Sequence, residues 1–109
     1  MRHAGNRKPA AYQDEDRYTS ALGSVVHIGE TDSFPVTLVN FSRHGFRVTL
    51  SRPLSVGQIL WLEVDGWPRL MASVIWSQDQ RAGCMFDAPP NAKTFALMCA
   101  SASGLDRII

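Results

Sequence analysis

Val36-Thr37-Leu38-Val39-Asn40-Phe41-Ser42-Arg43-His44-Gly45-Phe46-Arg47-Val48 is the run that decides how this chain of 109 residues folds. Two apolar, partly β-branched stretches flank a polar break. β-branched and aromatic residues fit a pleated surface, whereas Ser, Asn and Gly favour the turns between strands. The run therefore predicts a strand over Val36–Phe41, a turn over Ser42-Arg43-His44-Gly45 and a strand from Phe46 to Leu50. His44 reads as a turn residue that tolerates an unusual backbone angle.

Outward from there the same texture repeats. Upstream, Ala21 to Ile28 predicts a strand that ends at Gly29, with a polar turn before Pro35. Downstream, Gln58–Val64 predicts a fourth strand, closed by the turn pair Asp65-Gly66. Leu70–Trp76 and Gly83–Phe86 follow, with a turn between Gln78 and Arg81. Six short strands joined by hairpin-length turns imply an all-β antiparallel meander. Such a meander removes its edges by curling into a barrel or small sandwich. The expected core is Val36 or Val39, Phe46 or Val48, Leu60, Leu62, Val74, Trp76 and Phe86. Pro89-Pro90 ends the sheet, and Asn91 has the chemistry of a helix N-cap. Phe95, Leu97, Met98 and Ala102 then predict a helix over about Ala92–Ser101, laid on the barrel through Phe95 and Met98. The same helix laid on a second copy would make a homodimer. Residues 1–18 show no period and read as a flexible arm. Residues 19–103 form the domain and 104–109 a tail.

Composition narrows the function. Hydrophobic residues make up 45% and charged residues 19%, a globular mixture in a length that suits one domain. No apolar run reaches the ~20 residues of a membrane-spanning helix, and no secretory leader is visible, so a cytoplasmic protein is expected. Cys84 and Cys99 are too few for a disulfide scaffold. A net charge of +1 gives no bulk attraction to DNA, RNA or an anionic membrane. The local distribution is more informative. No acid stands between Asp32 and Glu63, a stretch that holds Arg43, Arg47 and Arg52. Arginine suits bidentate recognition of phosphate or of a guanine edge.

Catalytic constellations are missing from the sequence. His3, His27, His44 and the two cysteines have no zinc-ligand spacing. Ser42 and His44 lack the neighbouring acid that a nucleophile–base pair requires. Cys84 and Cys99 read as small buried hydrophobes. Trp61, Trp67 and Trp76 read as core or barrel-cap residues. The chain is therefore not expected to be an enzyme.

Asn40-Phe41-Ser42-Arg43-His44-Gly45 reads N-x-S-x-x-G. It is followed by Pro53-Leu54-Ser55-Val56-Gly57, by Ala72-Ser73-Val74-Ile75-Trp76 and by Ala82-Gly83-Cys84-Met85-Phe86. That succession resembles the PilZ domain family over residues 17–88. The resemblance implies a six-stranded, split-type β-barrel with a C-terminal helix. It also implies a bacterial receptor for cyclic di-GMP that acts on a downstream protein in motility, biofilm or envelope control, with no other cofactor. The family binds the nucleotide through [DN]-x-S-x-x-G on the barrel and R-x-x-x-R on the preceding arm. The first maps onto Asn40, Ser42 and Gly45. Asn40 offers a donor and an acceptor, and Ser42 a hydroxyl. Gly45 permits a positive φ or a close ligand approach. Of the second motif only Arg17 is present, because Gln13 stands four residues before it among Asp14, Glu15 and Asp16. Arg43 and Arg47 complete the expected ligand-binding set. The alternative is a degenerate PilZ-like domain that binds no nucleotide and serves as a protein-interaction adaptor.

Overall fold

The structure, a computed structural model, describes residues 16–106. The strands are β1 (Arg17–Ile28), β2 (Asp32–Phe41), β3 (Gly45–Thr49), β4 (Ile59–Val64), β5 (Leu70–Gln78), β6 (Arg81–Phe86) and β7 (Gly104–Asp106), with helix α1 (Ala92–Ala100) before β7. The six strands occur where the sequence places them, and Asn91 does cap the helix, its side chain accepting the Thr94 N–H at 2.8 Å. Among the described residues no helix is long and apolar enough to cross a membrane.

The ladder runs β2-β3-β6-β5-β4-β1, all antiparallel, and β1 pairs with β2 again, so the six strands close into a barrel. This order corrects the simple meander. β3 pairs with β6 rather than β4, and Leu50 extends that pairing by donating its N–H to the Gln80 carbonyl. The connection from Leu50 to Gln58 must then cross one barrel mouth, because β3 and β4 stand on opposite walls. Leu54 plugs that mouth, 8% exposed. The other mouth is closed by α1. Met98 is fully buried there, and Phe95 meets Tyr18 and Phe41 edge-on, at ring-centre distances of 5.8 and 6.3 Å. Burying Met98 contributes about 2 kcal/mol. Trp67 completes the cap, its indole N–H donating to Ser101 Oγ at 3.2 Å. The helix thus rests on its own barrel.

Three boundaries move, the first being that β2 begins at Asp32, inside the expected polar turn, and not at Val36. β1 begins at Arg17, four residues before the predicted start, so Arg17 belongs to the barrel rather than to the arm. Gly104–Asp106 forms β7, paired with Arg17–Thr19, where a tail was expected. The rest of the arm, residues 1–15, lies outside the described residues.

Side chains alternate in and out along a strand, and a bulge reverses that parity. β2 turns Phe34, Val36 and Leu38 inward, but a bulge between Leu38 and Asn40 makes Phe41 the next buried residue. Val36, Phe46, Val48, Leu60, Leu62, Val74 and Phe86 all occupy the core. Trp76 does not. A second bulge, between Val74 and Trp76, sets Trp76 opposite Gly83 on the outer surface. Its indole covers Gly83 so closely that a Cβ there would collide with the ring. Trp61 is also outside, 41% exposed, and Trp67 alone of the three joins the core.

Candidate functional site

The β2 bulge also builds the site. Without it Asn40 would point inward with Leu38. With it, Asn40 faces outward, flanked by Thr19 of β1 and Arg47 of β3. The same register, continued one step, sets Arg17 opposite Ser42. The geometry follows directly. Arg17 Nε donates to Asn40 Oδ1 at 2.9 Å, and its Nη1 donates to Ser42 Oγ at 3.4 Å. Arg17 is only 7% exposed and Ser42 is fully buried. Three residues separated by 23 and 25 positions are thus joined in one hydrogen-bonded group.

The β2–β3 turn is fixed from within. Ser42 N–H donates to the Gly45 carbonyl at 2.8 Å, and Ser42 Oγ accepts the His44 N–H at 3.3 Å. His44 lends its carbonyl to the Phe86 N–H at 2.8 Å, tying the turn to β6. No unusual backbone angle is needed at His44. Among the described residues, positive φ at non-glycine positions falls on Asp79 and Gln80. Gly45 has no positive φ either. It lies in β3 opposite Met85, and a Cβ there would run into the Cys84 carbonyl. The glycine is therefore required for the close packing of β3 on β6.

Arg43 is exposed at the tip of the turn, its guanidinium 5.9 Å from the centre of the Phe95 ring. Arg47 is half-buried beside Asn40, and its Nε is buried without an acceptor among the described residues. The site is cationic: Arg17, Arg43 and Arg47 surround one amide and one hydroxyl. Such a surface suits a ligand with hydrogen-bonding base edges and phosphates. No group of three or more metal-ligating side chains occurs among the described residues. Cys84 sits inside the barrel, and burial pushes its thiol up to about 12, so it stays protonated.

Sequence reading names Arg17, Asn40, Ser42, Arg43, Gly45 and Arg47. The structure gathers the first three by direct bonds and places Arg43 and Arg47 on either side. Sequence reading misses the participation of α1, whose Phe95 meets the site through Arg43. The apolar spacing of the helix gave no sign of that contact. Comparison with protein families matches residues 13–98 to the PilZ domain. No curated protein and no solved structure matches the chain.

Proposed function

The chain belongs to the PilZ domain family, a family of cyclic di-GMP-binding regulatory modules, and on that premise we propose that it binds cyclic di-GMP as one component of a bacterial signalling pathway. The observation that supports this reading is the Arg17–Asn40–Ser42 group on the outer barrel wall. In this reading the Arg17 guanidinium addresses the O6 and N7 edge of a guanine. Asn40 and Ser42 hold the base or the backbone beside it, and Arg43 and Arg47 meet the phosphates. The Arg47 Nε gains an acceptor. Gly45 supports the site by setting the position of the turn.

Affinity is expected to be modest. Arg17 already donates to Asn40 and Ser42, so the ligand replaces bonds that exist rather than adding to them. Gln13 stands where the motif has its first arginine, and one bidentate arginine–guanine pair is worth about 1–3 kcal/mol, roughly ten- to hundredfold in affinity. These two facts also favour the second reading, an adaptor that keeps the barrel and binds protein in place of nucleotide. Calorimetric titration with cyclic di-GMP separates them. Saturable binding that Gln13→Arg tightens supports the first. No heat from either protein supports the second.

A further inference from the structure

Three observations coincide at the barrel mouth opposite α1. The first is the β5–β6 turn, where Asp79 and Gln80 have φ values of 54° and 63°. A two-residue hairpin turn of this kind favours Asn-Gly, because a side chain is disfavoured at positive φ. Gln80 nevertheless holds the second position, and it lines the groove beside the turn.

The second is an open sheet edge. β3 pairs with β2 only from Thr37 onward, opposite Thr49. Leu50 N–H points to β6, so by alternation the peptide groups of Thr49 face β2 and those of Thr37 face β3. Leu38 C=O accordingly points the other way, taking the Ser20 hydroxyl of β1 at 2.6 Å. The same alternation directs Ser33 N–H and C=O, and Pro35 C=O, away from β1 with no strand opposite among the described residues. Pro35 has no N–H, so this edge offers one donor, that of Ser33, and two acceptors.

The third is an open groove of about 520 Å³ between that edge and the turn, its polar lining made of Thr37, Thr49, Ser51, Asp79, Gln80 and Arg81. Thr37, Thr49 and Arg81 form one cross-strand row. Arg81 is exposed and has no acidic partner among the described residues, whereas Asp79 accepts from the Gln78 amide at 3.4 Å.

We propose that this groove docks an extended segment of a partner protein, added as a strand to the free half of β2, with an acidic side chain set against Arg81. The edge supplies main-chain bonds, Gln80 an amide that both donates and accepts, and Arg81 the charge selection. The surface lies at the far mouth from Asn40 and Ser42, so the proposal stands whether or not the nucleotide binds.

The test is an NMR titration of the isotope-labelled chain with acetyl-Thr-Val-Glu-Val-Thr-amide and with its lysine counterpart, both at millimolar concentration. The glutamate peptide should shift the amides of Ser33, Ser51, Gln80 and Arg81 and bind about tenfold tighter than the lysine peptide. Arg81→Glu should reverse that order. Gln80→Gly should raise the melting temperature, since it relaxes the turn, yet weaken the glutamate peptide about threefold or more. The proposal fails if the glutamate peptide leaves those amides unmoved, if both peptides bind equally, or if Gln80→Gly binds as the wild type does.

Discussion

Arg17 binds the fold together with the same atoms that the proposed reading assigns to the ligand. Its guanidinium is buried against Asn40 and Ser42, so removal takes the guanidinium donor from the Asn40 amide oxygen and leaves Ser42 Oγ with the His44 N–H. Arg17→Ala should therefore weaken cyclic di-GMP by about 1.5–3 kcal/mol and also lower stability, whereas Ser42→Ala should cost about 0.5–1.5 kcal/mol of binding. Titration paired with urea denaturation reads both quantities. Equal binding losses for the two variants would contradict the charge-assisted role of Arg17. Gly45 is a different case. Gly45→Ala drives a methyl into the Cys84 carbonyl, where neither backbone can yield easily, and should cost about 2–3 kcal/mol of stability. A urea midpoint unchanged from wild type would overturn the packing account of that glycine.

At the scale of elements, α1 depends on a side-chain cap and a few aromatic contacts. The Asn91 side chain satisfies the Thr94 N–H, and no acidic residue stands in the first turn to assist it. Asn91→Ala should cost about 1 kcal/mol and fray the end of the helix nearest Phe95. Amide exchange should then rise at Thr94 and Phe95 first, with the β-ladder unchanged; exchange rising equally in β3 and β6 would show that the helix is integral to the barrel. This helix was legible in the sequence, because the cap and its apolar spacing are local signals. So were the strands, from their β-branched residues and the turn signals between them. The bulges were not. Each depends on how many residues the partner strand sets opposite, information held on the neighbouring strand and not in the bulged stretch itself. Trp76 was expected inside for that reason, and the outward turn of Asn40 was hidden too. The resemblance to a known motif pointed to the site residues, but the bond between Arg17 and Ser42 needed the β1–β2 register. β7 was missed because Gly104-Leu105-Asp106 has little strand character of its own; the free flank of β1 supplies the pairing.

At the scale of the molecule, closure depends on β1, which pairs with β2, β4 and β7. The β1–β4 seam joins segments far apart in the chain, and no local signal announces it. A side-chain hydrogen bond spans that seam. His27 Nε2 donates to Glu63 Oε1 at 2.6 Å, and Arg69 approaches the same oxygen at 3.2 Å. The His27 hydrogen bond, foremost, with the charges of Arg69 and His27, holds the Glu63 carboxyl below its ordinary value of 4.5. A carboxyl whose pKa is lower folded than unfolded takes up its proton first in the unfolded chain. Its stabilising contribution is therefore complete above the unfolded pKa and disappears as pH falls through the folded one. The pair is partly exposed, so the effect is small and screened by salt. Glu63→Gln, which mimics the protonated acid, should lower the melting temperature near neutral pH. The gap to wild type should narrow as pH falls below 4.5 and close in stronger acid. Thermal melts across that range at low ionic strength make the measurement. A gap that stays constant down to about pH 3 would mean that Glu63 holds the seam by packing, with its charge contributing nothing.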